Sequence, residues 1–186
     1  MRRAFLVLGA VGLAFLAGCQ SDAGPVVVIE TSMGNIKVEL NERDAPITVK
    51  NFLRYVDAKG YDDTIFHRVI KNFMIQGGGM GPDGKPKNQL DPIKNEAYNG
   101  LANERGTIAM ARTSDPDSAT NQFFINVKDN KNLDYKGGKG GEGYCVFGKV
   151  IEGMEVVDRI RQVPTDSNDQ PVETVLIKSV RRVEPK

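Results

Sequence analysis

Phe66-His67-Arg68-Val69-Ile70-Lys71-Asn72-Phe73-Met74-Ile75-Gln76-Gly77-Gly78-Gly79 is the stretch that decides how this chain reads. It sets a guanidinium (Arg68), two large apolar side chains (Phe73, Met74) and an amide (Gln76) at close spacing on short extended runs. Such a set suits an apolar ring flanked by a peptide carbonyl. It does not suit a metal, a phosphate or a covalent nucleophile.

The pattern outward from this segment is mostly β. Residues 26–30 and 36–40 read as two strands joined by a tight turn at Ser32-Met33-Gly34. Ile36, Val38 and Leu40 alternate with Lys37, Glu39 and Asn41, which describes a half-buried antiparallel strand. Ala45-Pro46 opens a helix, because proline in the first turn loses no hydrogen bond; Val49, Phe52, Leu53 and Val56 follow at helical spacing, up to Gly60. Residues 64–70, 73–76, 107–111, 122–127 and 144–150 read as strands, residues 154–161 as a second helix, and Val175, Ile177 and Val180 mark a last strand. Many short strands with two helices predict a closed antiparallel barrel with a helix at each end. The barrel fills its own interior, so a ligand belongs on the outer wall or rim. Two long loops, residues 77–103 and 126–143, are the other candidates for function.

The N-terminus reads as a targeting segment. Arg2 and Arg3 precede an apolar run at residues 4–17, which is short for a membrane span and has the length of a signal-peptide core. The run ends in Leu16-Ala17-Gly18-Cys19, which resembles the lipobox of bacterial lipoproteins. That resemblance implies lipidation of Cys19 after removal of residues 1–18; an ordinary secretory signal is the alternative. Residues 19–25 then form a lipidated start and polar tether, and residues 26–186 one domain of ordinary size. The formal net charge is +1. Losing Arg2 and Arg3, with no acids, leaves −1, a balance that argues against a nucleic-acid partner. With Cys19 lipidated, Cys145 stands alone in an apolar run and is expected to be a buried, inert thiol. A single histidine, His67, speaks against a His-rich metal site.

Rotation about a peptide bond to proline crosses a barrier of about 20 kcal/mol, because it breaks amide resonance. A catalyst must hold the ring, align the flanking backbone and stabilise the twisted amide. No proton transfer, covalent bond, metal or cofactor is called for. A guanidinium suits the last task, since it can donate to the prolyl carbonyl and lie near the nitrogen lone pair. Phe73, Met74, Phe124 and Leu133 are candidates for the apolar pocket, Gln76 for backbone alignment, and Ala111 for pairing with an extended peptide. Taken alone, Arg68 also suits a surface ion pair, and Phe73 and Met74 also suit the core. Neighbours in a strand face opposite ways, so both can line one pocket only if the chain bends.

Five blocks carry a family resemblance: Phe66-His67-Arg68-Val69-Ile70, Phe73-Met74-Ile75-Gln76-Gly77-Gly78, Thr107-Ile108-Ala109-Met110-Ala111, Asn121-Gln122-Phe123-Phe124-Ile125 and Val146-Phe147-Gly148-Lys149-Val150. In content and order they resemble the cyclophilins, the peptidyl-prolyl cis–trans isomerases. The resemblance implies an eight-stranded antiparallel barrel capped by two helices and an enzyme acting on proline-containing polypeptides. It implies Arg68 as the catalytic residue, with Phe73, Met74, Gln76, Ala111, Gln122, Phe124 and Leu133 as the binding surface. Arg112 falls where the family often has asparagine, at a position that acts mainly through its backbone. Asn132 stands where many eukaryotic members have the tryptophan that binds cyclosporin. Tyr144 stands where they have a histidine at the pocket floor, as in bacterial members. Weak cyclosporin binding is therefore expected.

Competing readings give distinct expectations. His67 is the candidate general base if proton transfer were involved, and the rate would then follow its titration. Gly79-Met80-Gly81-Pro82-Asp83-Gly84 fits a dinucleotide-loop pattern, but Pro82 and Pro86 forbid the helix that must follow. Asp115-Pro116-Asp117 reads as a turn rather than a calcium loop. A non-catalytic module that holds proline segments as a chaperone or scaffold is the rival function. It has no need of the arginine. Gln20, where an inner-membrane retention signal has aspartate, points to an outer-membrane protein facing the periplasm if the source has two membranes. No apolar heptad calls for self-association, so a monomer is expected.

Overall fold

Ile36, Val38 and Leu40 turn inward and are buried, while Lys37 and Glu39 between them are partly exposed. The same in–out alternation closes the whole sheet. The computed structural model describes residues 24–137 and 142–184; Cys19, the expected leader and most of the expected tether lie outside them. The elements in chain order are β1 (Val26–Thr31), β2 (Gly34–Leu40), α1 (Pro46–Asp57), β3 (Thr64–Ile70), β4 (Met74–Gly77), β5 (Thr107–Met110), β6 (Phe123–Asn126), β7 (Val146–Glu152), α2 (Met154–Ile160) and β8 (Leu176–Arg182). The eight strands form one closed antiparallel barrel in the order β1-β2-β7-β5-β6-β4-β3-β8, with β8 pairing back onto β1. Closure removes the edges that would otherwise invite pairing with other chains.

The β1–β2 turn is tight because Thr31 Oγ1 donates to Gly34 O at 2.7 Å and accepts from Met33 N at 3.0 Å. Gly34 takes φ +128°, a conformation closed to ordinary side chains. α2 packs at this end of β2, with Val156 against Gly34, whereas α1 follows the Leu40 end. The two helices therefore serve opposite ends of the barrel. Phe52 of α1 enters the interior, with ring centroids 5.7 Å from Phe123, 5.2 Å from Phe147 and 5.0 Å from Tyr61. Each such buried ring stabilises the fold by roughly 1.5–3 kcal/mol. The lumen is thus filled with side chains, and binding is left to the outer wall.

Pro46 starts α1 as expected, but Ala45 offers its first turn no side-chain cap. The cap comes from Glu96, in the long loop after β4. Its carboxylate accepts from Ile47 N at 3.2 Å, Thr48 N at 2.8 Å and Thr48 Oγ1 at 2.7 Å. Glu96 is only 4% exposed, and the positive end of the helix dipole suits its charge. At the other end the left-handed residue is Lys59 rather than Gly60, and Gly60 N donates to Tyr55 O at 2.7 Å.

Several strands are shorter than the apolar runs suggest. Phe73, Ala111, Gln122 and Tyr144 all lie just outside strands, in turns and loop junctions. The two long loops carry short 3-10 turns at Ala97–Asn99 and Lys131–Leu133. The Asp115-Pro116-Asp117 segment is a turn closed by Ser118 N to Asp115 O at 3.3 Å. Gly81–Gly84 is a turn with no helix after it.

Candidate active site

A single break in strand register sets the site. β3 pairs with β4 through Phe66↔Gly77 and then Arg68↔Gln76, so His67 is an extra residue, a β-bulge. Strict alternation would put Arg68 on the same, inward face as Phe66. The bulge reverses the phase: Phe66 and Val69 join the core, while the Arg68 side chain stays 45% exposed on the outer wall.

From Arg68 the pairing runs straight across the wall. Arg68 is opposite Gln76, Gln76 is opposite Phe124, and Phe124 is opposite Ala109. At about 4.8 Å per strand, this row is roughly 14 Å long, enough for three or four residues of extended peptide. Gln76 Nε2 donates to Gln122 Oε1 at 2.8 Å, which fixes both amides beside the row. Gly79 permits this, since a Cβ there would lie 2.3 Å from Gln122 Cγ.

Next to the row is an apolar cluster separate from the lumen. Met74, Ala109, Phe124 and Val146 form its buried base, with Phe73, Ala111, Leu133, Tyr144, Ile70 and Leu101 packed around it. Phe73 and Met74 share this cluster because Phe73 lies in the β3–β4 turn, with its N–H donating to Ile70 O at 2.9 Å. That turn is the bend that a strand reading lacks. Tyr144 N donates to Leu133 O at 2.8 Å, and the Tyr144 ring meets Phe124 edge-on at 5.7 Å. Arg112 lies over the Tyr144 ring at 4.5 Å and donates to Gly143 O through Nε (3.2 Å) and Nη2 (3.0 Å). Its side chain therefore braces the pocket wall, in addition to any backbone contribution. Ala111 N is engaged by Gln122 O at 2.9 Å.

All ten residues singled out in the sequence thus come together on one face. Sequence reasoning missed the parts that hold them. Asn103, Asn126 and Asn130 are buried behind the pocket. Asn130 Nδ2 donates to Phe73 O (2.8 Å) and Asn126 Oδ1 (2.7 Å), Asn126 Nδ2 to Asn103 Oδ1 (3.2 Å), and Asn103 Nδ2 to Tyr144 O (3.3 Å). This chain of amides ties the Phe73 turn to the Tyr144 loop. Nothing in the sequence separates these asparagines from surface ones. Ala109 and Val146 were visible only as strand residues.

His67 is half-buried, and burial, the largest effect, lowers its pKa, opposed in part by contacts with Ile65 and Gln122. The Cys145 thiol is pushed up to about 11 by burial and is inert at neutral pH. A separate cavity of about 750 Å³ is lined by Gly24, Leu40, Asn41, Glu104 and Lys149, among others. It contains none of the ten site residues, and shares only Leu101 and Val146 with the apolar cluster. At the row, by contrast, a cation, amides and an apolar pocket converge.

Comparison with known proteins agrees with this geometry. The family model for cyclophilin type peptidyl-prolyl cis-trans isomerase/CLD matches residues 26–182. A peptidyl-prolyl cis-trans isomerase of Acinetobacter baylyi is 51% identical over 185 residues, covering 97% of this chain and 95% of the relative. Peptidyl-prolyl cis-trans isomerase B of Escherichia coli is 53% identical over 160 residues, covering 83% and 98%. A cyclophilin of Cryptosporidium parvum, crystallised in the presence of the dipeptide Ala-Pro, superposes with a TM-score of 0.73 at 31% identity, covering 86% of this chain and 99% of that one. The chain belongs to the cyclophilin-type peptidyl-prolyl cis–trans isomerases, and its activity is isomerisation of Xaa-Pro peptide bonds.

Proposed function

We propose that Arg68 drives this isomerisation by weakening amide resonance, acting on exported or envelope polypeptides from a lipid-anchored position. The observation that carries the mechanism is the row Arg68–Gln76–Phe124–Ala109 beside the Phe73/Met74/Leu133/Tyr144 pocket. The proline ring fills the pocket, against Phe124 and Met74. Gln76 and Gln122 align the flanking backbone, and the backbone at Ala111 and Arg112, just past the end of β5, pairs with the residues before proline. Arg68 donates to the prolyl carbonyl and stabilises the nitrogen as it becomes pyramidal, so no proton is transferred. A binding-only role has no use for a cation at the end of this row.

The pH dependence tests that reading. The rate on a short Xaa-Pro peptide is expected to stay flat from about pH 6 to 8, since arginine does not titrate there. A rate that follows an imidazole titration would restore His67 as a general base. Stability behaves differently. Because the folded His67 pKa is lowered from 6.5, the unfolded chain binds the proton more readily. The contribution of His67 is then complete above the unfolded value and is lost as pH falls through the folded one. Thermal melts at intervals below pH 6.5 measure this.

The lipid-anchored position rests on Arg2, Arg3, the apolar run and Leu16-Ala17-Gly18-Cys19. Two or more acyl chains anchor stably where one does not. The reading divides the chain into a signal peptide (1–18), a lipidated start and tether (19–25) and the isomerase domain (26–186), active as a monomer. In a two-membrane cell, Gln20 favours the outer membrane, facing the periplasm. Replacing Cys19 by serine is expected to abolish palmitate labelling and move the protein from the membrane to the soluble fraction; unchanged fractionation would overturn the anchor. Cyclosporin binding is weak in this reading, because Asn132 stands where the cyclosporin-binding indole would be. A tight complex in titration calorimetry would contradict it.

A further inference from the structure

Arg68 meets its carboxylate partner across a loop far away in sequence. Its Nε donates to Asp169 Oδ2 at 3.4 Å. Asp169 is also fixed to the neighbouring strand residue, because Val69 N donates to Asp169 O at 2.7 Å. It therefore grips β3 at two successive residues, just beyond the bulge that turns Arg68 outward. Asp169 sits at φ +63°, a left-handed conformation that Asp and Asn adopt more readily than most residues.

The loop does not need this carboxylate for its shape. Asp166 Oδ1 accepts from Asn168 N (2.8 Å) and Gln170 N (3.0 Å), and Asp166 N donates to Gln170 O (2.9 Å). The Asp169 side chain makes none of these bonds; its hydrogen bond goes to Arg68. The pairing engages Nε, the inboard donor, and leaves the two terminal nitrogens of the guanidinium for substrate.

We propose that Asp169 is a positioning residue that orients the Arg68 guanidinium so that its terminal N–H groups face the prolyl carbonyl. The inference rests on the reading of Arg68 as the catalytic group. Its advantage is preorganisation: a long, half-exposed arginine samples many rotamers, and a carboxylate on Nε restricts them without occupying the donors used in the reaction.

The test is a double-mutant cycle in the prolyl isomerisation assay, using wild type, Asp169→Asn, Arg68→Ala and the double variant. Asparagine tolerates the left-handed backbone, removes the charge and turns one acceptor oxygen into an NH2 donor. Asp169→Asn is expected to lower kcat about fivefold in the wild-type background, the rate equivalent of an exposed ion pair at the upper end of its range. KM and the melting midpoint should be unchanged. In the Arg68→Ala background the same substitution should have no effect. Equal losses in both backgrounds would show that Asp169 does not act through Arg68 and would overturn the proposal, as would no loss in the wild-type background. If Arg68→Ala kept full activity, the catalytic reading of Arg68 would fall, and this inference with it; a loss in Arg68→Ala beside full activity in Asp169→Asn would remove the inference alone.

Discussion

Replacing Arg68 by alanine is expected to lower kcat/KM for a short Xaa-Pro peptide by roughly 10²–10³-fold, the scale of one preorganised transition-state donor. The loss should appear in kcat, because in the proposed mechanism the guanidinium engages most strongly when the amide is twisted and its nitrogen lone pair is free. KM should change little, since in the proposed mode the proline ring would rest on the apolar cluster of Met74, Phe124, Leu133 and Tyr144, which Arg68 does not join. The fold should be unaffected, because the side chain is half-exposed and its ion pair with Asp169 is a surface one. A protease-coupled or NMR exchange assay, with thermal melts of the same samples, separates these effects. Near-equal rates in wild type and variant would remove the arginine from the mechanism and leave the pocket as the main source of catalysis.

The largest effect on stability is expected at a residue remote from the reaction. Glu96→Ala should destabilise the protein by about 3 kcal/mol, since it strips a charged acceptor from two buried donors, Thr48 N and Thr48 Oγ1, and from the N–H of Ile47. For a chain of this size, the loss corresponds to a fall of roughly 6–12 °C in melting midpoint. Glu96→Gln should lose less, because one oxygen remains to accept while the new NH2 group faces other donors. Both variants should keep their isomerase activity at low temperature, since Glu96 touches no member of the Arg68–Gln76–Phe124–Ala109 row. Melts of both variants beside wild type decide the matter: an unchanged midpoint in Glu96→Ala would mean that water caps α1 equally well.

Glu96 also shows where sequence reading stops. The start of α1 was legible from Pro46 and the spacing of Val49, Phe52, Leu53 and Val56. Its cap was not, because the usual signal lies within three residues of the helix start, and this one comes from 48 residues away. The buried Asn103–Asn126–Asn130 network was hidden for the same reason: an asparagine's burial depends on what folds over it. The β-bulge at His67 left no mark either. Read with unbroken alternation, residues 64–70 would put Arg68 in the core beside Phe66, where an unpaired guanidinium cannot remain. Only the pairing of β3 with β4 reveals the extra residue.

By itself the sequence determined the strands and helices to within a few residues, the filled barrel and the side chains suited to a prolyl substrate. Those features depend on local spacing and on the partition of apolar groups from water, both written along the chain. Tertiary structure decided what faces what. The bulge turned Arg68 outward, the register lined it up with Gln76, Phe124 and Ala109, and the β3–β4 turn brought Phe73 beside Met74. It also brought Asp169 to Arg68 across 101 residues and Glu96 to the start of α1. Hydrogen bonds and ion pairs act over a few ångströms, so their partners are set by closure of the barrel rather than by neighbourhood in the chain.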